Sequence, residues 1–570
     1  MAHHNLDAIK EQFLARALLA VIVLIMPRSQ SHGRIRPHQR DTNDETEIIG
    51  AGDIVVLDEH TEQIRVTEDH GLKLSTRKDY RLRIRHIYMF LQESYPEYCE
   101  RGGVVELVGN EQTYHHTNTH DLKYVGMNVE LIKAFLGHKK IKINGKTSSF
   151  TQMRKYYDAI LWGATSAKEQ LPTSFYVEMD KWMNAYRKET KKAAKDGNLD
   201  ENEADPVPFT LFRLWMTWSL ESRNVYVWVF GLLQWNLMAR SISVGTLAFH
   251  NFRPGEDNII IKYDNHKADQ AGESLHDKHL FSNPFDPVLD LYLGLAVWLA
   301  IDPTSHVETE DLFLNVDTHA DAASQRFCSQ LNEILRQHRD ILAHYIRPNH
   351  ANTHSIRKGS GTYSQSGTTC PPPATATAGR GEWSLGRVFD LYLHLADPAD
   401  TYLGRILVGL DPNNENFATL PPHFVPSDPM ANEFIREAMD LMYGPILTAW
   451  RGKGVRDITA ILLRVLPSVV HHSDFLDDWM RRVPGHPFSS IPLLHRRDLL
   501  LRLKGLVTTK ATESMKVATG IPPHIEHARQ MKKCIDLCSS TLGEVKNLKE
   551  EVKQAVVDAY ENRAAENGHM

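Results

Sequence analysis

Arg240, Lys267, His354, Arg357, Trp383 and Tyr392 stand in this order along the chain, and their types suit a transfer at phosphorus. A phosphodiester attacked by an oxygen nucleophile passes through a pentacoordinate state with negative charge on its non-bridging oxygens. Forked guanidinium groups meet those oxygens bidentately, a role open to Arg240 and Arg357. The departing oxygen leaves poorly unless protonated, and Lys267, in the polar turn of "YDNHKADQAGE", can deliver the proton. His354 precedes Arg357 by three positions, a neighbouring place on a helix. It can hydrogen-bond the phosphate or take the nucleophile's proton. Trp383 can offer its indole N–H to an oxygen, and Tyr392 can form a covalent phosphotyrosine. Tyr363 in "GSGTY" and Tyr402 in "DTYLGR" compete for that last role.

Each of these residues also has a plain structural use: a helix-capping arginine, a core histidine, a core tryptophan, a turn lysine. Their joint order carries the reading. Other chemistries find less support. The histidines do not fall in H-E-x-x-H, and no G-x-x-x-x-G-K-[ST] loop for nucleotide phosphates is present. Five scattered cysteines, an odd number, argue against a disulfide framework. Cys534 and Cys538 lie near His527, but no second pair completes a zinc site. With 65 Lys+Arg against 71 Asp+Glu, the net charge of −6 advertises no nucleic-acid partner globally, so basic patches must be sought locally. "STRKDYRLRIRH" supplies one, with Arg77, Lys78, Arg81, Arg83 and Arg85.

The elements that must position these residues follow from hydrophobic periodicity. Residues 1–70 are polar and aperiodic, apart from the apolar run "ALLAVIVLIM" at 17–26, and read as a flexible extension. That run is too short to span a bilayer, which takes about 20 residues. It fits a buried helix, with a signal peptide as the alternative. Over 71–195, Tyr80, Ile84, Ile87, Tyr88 and Leu91 recur at helical spacing, and further helices are expected at "NVELIKAFLGH", "SFTQMRKYYDAILWGAT" and "SFYVEMDKWMNAYRKETKKAAK". The acidic, proline-bearing stretch 196–208 reads as a linker. From 209 to about 425, apolar helices surround one β-branched run, "NIIIKY", which enters a hairpin. Residues 426–525 read as a helical region of unknown role. Over 526–570, Ile535, Leu542 and Val556 keep one heptad phase and Cys538, Val545 and Val552 the other, interrupted by Lys549. A short coiled coil or an amphipathic packing helix satisfies that pattern. The expected fold class is mainly α with a small β-sheet (α+β).

The six-residue set, with the words "LQWNLMARS", "KADQAGE", "HSIRKGSGTYSQSGTTCPPP", "GEWSLGRVFDLYL" and "FATLPPHF", resembles the tyrosine recombinase (phage-integrase-like) family. It also looks like the eukaryotic branch carried by Crypton DNA transposons. The resemblance covers about residues 75 to 425. It implies a helical core-binding (SAM-like) domain at 71–195 and a mixed catalytic domain with a small three-stranded sheet at 209–425, closing together as a C-clamp on double-stranded DNA. It further implies a site-specific recombinase or transposon integrase that cuts and rejoins DNA through a 3′-phosphotyrosine, as a homotetramer on paired sites in the nucleus. No metal, nucleotide or other cofactor and no membrane would take part. Arg77, Lys78, Arg81, Arg83 and Arg85 would then contact the DNA backbone. Two related outcomes stay open: a domesticated, non-catalytic DNA-binding protein, and DNA relaxation of the type IB topoisomerase kind. The sequence departs from the family in two places. Ser243 stands where an acidic residue often follows the first arginine by three positions, so Arg240 must be oriented from elsewhere, and Trp383 stands where many members have histidine.

Overall fold

The computed structural model describes residues 74–96, 122, 124–142, 145–199, 204–264, 276–313, 321–383, 385, 397–450 and 458–567. The apolar run at 17–26 lies outside them. The chain divides into two compact units, Met1–Asp200 and Glu201–Met570, with the division inside the expected linker. The molecule is mainly helical with small antiparallel sheets, and no described helix is long and apolar enough to cross a membrane.

In the first unit, α1 (Leu74–Ser94), α2 (Val129–Lys140), α3 (Phe150–Ser166) and α4 (Thr173–Lys195) fall on the segments expected from periodicity. Side-chain caps set two of the starts: Asn128 accepts from the Glu130 N–H at 2.9 Å, and Ser149 from that of Gln152. Ile84, Ile87 and Leu91 on α1 are buried against Phe135, Met153, Tyr157 and their neighbours. Each such aliphatic side chain contributes about 1.5–3 kcal/mol by leaving water.

The second unit is built on α5 (Phe209–Glu221) and α6 (Val225–Asn236). Every residue of α6 is buried, as a helix apolar on all sides requires. Its tryptophans satisfy their indole N–H groups on distant carbonyls, Trp228 on Val288 and Trp235 on Leu407, each at 2.8 Å. β1 (Phe252–Pro254), β2 (Ile259–Ile261) and β3 (Lys278–Leu280) form an antiparallel sheet in sequence order. Ile261 pairs with Lys278 and Ile259 with Leu280, so Lys278 shares the core-facing side of the sheet with buried isoleucines. The helices α7 (Leu291–Ile301), α8 (Ala322–Gln337), α9 (Thr353–Ser366), α10 (Ala374–Arg380) and α11 (Asp397–Leu407) complete the part that bears the candidate residues.

The expected boundary at 425 does not mark the end of this core. α12 (Glu433–Trp450), α13 (Ile458–His471), α14 (Ser473–Arg482) and α15 (Arg497–Lys504) belong to one hydrophobic cluster that begins at Val207. Polar ties confirm the join. Arg464 on α13 donates to the Gly255 and Glu256 carbonyls in the β1–β2 turn, at 2.8 and 3.0 Å. Buried Arg405 pairs with buried Asp257 in that turn, and Asp257 in turn accepts from the backbone and hydroxyl of Thr519. The described residues between 426 and 520 therefore buttress the sheet, and a second small sheet, β4 (His423–Phe424) with β5 (Val507–Thr508), closes the connection. Amphipathic patterning shows that such helices bury a face; it does not say against what.

The chain ends in α16 (Pro523–Asn567). Near its start Ile525 is buried in a small cluster with Phe281, Ile406 and Phe417, whereas Ile535, Leu542, Val545 and Val552 farther along are exposed among the described residues.

A candidate active site of buried arginines

Two chain reversals aim the central residues. After α6 the backbone enters the left-handed region at Met238 (φ +49°), which turns Arg240 into extended geometry ahead of a short helix, Ser241–Gly245. After α10 it does so again at Glu382 (φ +54°). Left-handed backbone is uncommon outside glycine and costs about 1–3 kcal/mol, and it concentrates at functional sites.

Arg357 is placed by α9. Asn352 caps that helix, accepting from the His354 N–H at 2.9 Å, while Ser355 Oγ accepts from the Asn352 N–H at 3.2 Å. The glycines of "RKGSGTY" set the packing. A side chain on Gly359 would lie 2.3 Å from the Val207 carbonyl oxygen, and one on Gly361 would lie 2.6 Å from the Trp383 indole. Both positions need a residue without Cβ. The helix can then seat Arg357 in the interior with Trp383 beside it, the guanidinium 5.8 Å from the ring centroid.

Around Arg357 the structure assembles a charged cluster. Arg357 Nη2 donates to the Gly381 carbonyl. Lys278 Nζ donates to Glu382 Oε1 at 2.7 Å, and Arg240 Nη1 lies 3.5 Å from Glu382 Oε2. Lys278 also sits 4.4 Å from the centre of the Tyr263 ring. Among the described residues, three cations thus surround one carboxylate. Burial, then the like charge of Arg240, pulls the Arg357 guanidinium down to about 10. Burial lowers the Lys278 ammonium too, with Glu382 opposing. Among the described residues, Arg240 Nη1 and Arg357 Nη1 are buried without a hydrogen-bond acceptor. The site has donor capacity and positive charge for an oxyanion.

A neutralised buried pair braces the cluster from behind. Arg380 Nε and Nη2 each donate to Asp400 at 2.7 Å, and Arg380 further donates to the carbonyls of Asn236 and His279. Asp400 also accepts from the His279 N–H at 2.8 Å. This network joins the end of α6, four residues before Arg240, to β3 beside Lys278 and to the end of α10 beside Glu382. Although its burial works against ionisation, the Arg380 and His279 contacts hold the Asp400 carboxyl well below the usual range.

The structure therefore brings together Arg240, Arg357 and Trp383. His354 is exposed in the first turn of α9, whereas Arg357, three positions on, is buried. Lys267 and Tyr392 lie outside the described residues. The two competing tyrosines have structural engagements. Tyr402 donates its hydroxyl to the Cys370 carbonyl at 2.5 Å, and Tyr363 stacks on Phe209 with centroids 4.3 Å apart. Burial pushes Tyr363 up to about 12 and Tyr402 higher still. Sequence reasoning missed Lys278, Glu382 and Arg380. The available signal for Lys278 was a lysine opening an apolar strand, "KHLF"; for Glu382 it was the need for a substitute at Ser243.

In the first unit, Arg83 is taken up internally, bonded to Asp79 at 3.1 Å and lying 4.9 Å from the Tyr156 ring centre. Lys78 is exposed, and Arg77, Arg81 and Arg85 are half-buried on the same helix. No group of three or more His, Cys, Asp or Glu among the described residues is arranged to hold a metal ion.

The chain matches no family model and no curated protein.

Proposed function

We propose that this chain is a tyrosine-type DNA recombinase or integrase acting in the nucleus, cutting and rejoining double-stranded DNA through a 3′-phosphotyrosine. One observation carries the reading: half-buried Arg240 and buried Arg357, from segments more than a hundred residues apart, meet beside Gly381 and Glu382, and among the described residues one guanidinium nitrogen of each, Nη1, is buried without a hydrogen-bond acceptor, that of Arg240 lying 3.5 Å from Glu382 Oε2. A buried unsatisfied donor costs about 1–3 kcal/mol, and a phosphate offers the missing acceptors.

In this scheme Arg240 and Arg357 hold the non-bridging oxygens, and Trp383, which is 41 % exposed, adds its indole N–H. The Tyr392 oxygen attacks phosphorus as the P–O5′ bond breaks. The tyrosine proton passes to His354 or solvent, and Lys267 protonates the departing 5′ oxygen. Lys278 is the competitor for that last role, since burial has already lowered its pKa. Rejoining reverses the steps with a 5′ hydroxyl from the partner DNA. In the first unit, Lys78 with Arg77, Arg81 and Arg85 would contact the phosphate backbone.

The test is covalent trapping. The protein is incubated, with chelator present, with nicked or 5′-bridging phosphorothiolate duplexes bearing element-end sequences, then run on a denaturing gel. A covalent band is expected that disappears in Tyr392→Phe and Arg357→Ala and persists in Tyr402→Phe. Lys267→Ala should slow cleavage of the ordinary phosphodiester but not of the phosphorothiolate, whose leaving thiolate needs no proton. If Lys278→Met shows that behaviour instead, the acid is Lys278. Duplex binding with no band on any substrate would favour the non-catalytic DNA-binding reading. Relaxation of supercoils from a single site, without strand exchange, would favour the topoisomerase-like one.

A further inference from the structure

Among the described residues, α16 is fixed to its own unit only at its start. Ile525 is buried in a small cluster with Phe281, Ile406 and Phe417, His524 bonds to the Pro412 carbonyl at 3.1 Å, and Lys532 pairs with Glu415. From there the helix runs on with its side chains exposed. Met531, Ile535, Leu542, Val545, Leu548, Val552 and Val556 are each about half exposed or more. Isolated helices draw little stability from propensity alone, and valines lower it further. An apolar stripe several turns long also exceeds what monomeric proteins usually leave in water.

The pattern specifies what covers it. Ile535, Leu542, Lys549 and Val556 occupy one seam row, and Met531, Cys538, Val545 and Val552 the other, with Cys534, Leu548 and Ala555 widening the stripe beside the second. The row along one flank is basic: Lys532, Lys546 and Lys553. The row at the matching angle on the opposite flank is acidic: Glu544, Glu551 and Asp558. When two identical helices pack in parallel, each flank meets the opposite flank of its partner, so lysines face carboxylates twice over. Packed antiparallel, lysines would face lysines and carboxylates would face carboxylates. Lys549, alone in its row, disfavours shifted registers that would set it against an apolar neighbour.

We propose that α16 binds the same segment of a second copy of this chain, in parallel and in register. The inference does not depend on the catalytic reading. Sedimentation of the full chain at micromolar concentration should show a dimer or larger assembly. Val545→Asp with Val552→Asp should give a monomer whose near-ultraviolet circular dichroism is unchanged. Lys546→Glu with Lys553→Glu should weaken association about tenfold or more, and adding Glu544→Lys and Glu551→Lys should restore it. Cys538 is a seam residue, so mild oxidation should link two chains through it, in a product lost in Cys538→Ser. In a Cys534→Ser, Cys538→Ser background, Val552→Cys should link to itself equally well. A monomeric wild-type chain would overturn the proposal. So would association that survives the paired aspartates, or linkage only between Cys538 of one chain and Val552→Cys of another, the antiparallel pattern.

Discussion

Glu382 supplies what Ser243 cannot: a carboxylate that faces Arg240 and holds Lys278 against the same site. Under the proposed reading, in which Arg240 and Arg357 grip a phosphate, a side chain that orients them should affect the reaction more than the encounter. Glu382→Gln keeps the shape and removes the charge, so covalent complex formation is expected to slow about 10²-fold or more, while non-covalent duplex affinity changes little. Single-turnover cleavage beside a binding titration measures the two, and equal losses in both would reduce Glu382 to a folding role. Arg240 and Arg357 could be singled out in the sequence because arginines in set order beside a tyrosine and a lysine suit one kind of reaction, and the structure places the two next to Glu382 and Gly381. Glu382 and Lys278 could not be singled out, since they meet across 104 residues of chain and neither sits in a telling local pattern. Arg380 carries no local sign of its place either: it stands in "AGRGEW", between glycines, yet it is fully buried.

Helix packing around the site depends on the Gly359 and Gly361 contacts and on the Arg380–Asp400 brace. Gly359→Ala puts a methyl group into the Val207 carbonyl and is expected to cost about 1–3 kcal/mol of overpacking in urea denaturation. Removing one partner of a buried ion pair costs about 3–5 kcal/mol, so Asp400→Ala should lower the urea midpoint more than Gly359→Ala does. The Asp400 carboxyl is held below its ordinary value in the folded state. Its contribution is therefore complete above the ordinary carboxylate pKa of about 4 and is lost progressively as pH falls below it. The stability gap between wild type and Asp400→Asn should stay constant from pH 7 to pH 5 and narrow below about pH 4; a gap that changes between pH 7 and 5 would mean that another group governs the brace. At this scale the helices and the β2 strand were readable from periodicity. The Gly359 and Gly361 contacts were not, because each depends on what another segment brings alongside.

The division into two units, the helical character of the first and the hairpin of the second all followed from composition and period. The reach of the second core did not: α12 to α15 look like a separate helical region until their apolar faces are seen against α7 and the sheet. A chain truncated after residue 425 is accordingly expected to lose its cooperative unfolding transition, and a truncated chain that unfolds cooperatively would restore the boundary. Affinity for duplex DNA should fall steeply with the logarithm of salt concentration as counterions are released; a flat response would deny the backbone contacts proposed for the basic helix. The most direct test of the central claim is to digest the trapped protein–DNA complex and map the nucleotide-bearing peptide by mass spectrometry. The account predicts a 3′-nucleotide adduct on Tyr392, formed without metal and absent when Arg240 or Arg357 is replaced by alanine. An adduct on Tyr363 or Tyr402, or one that forms equally well without either arginine, would contradict it.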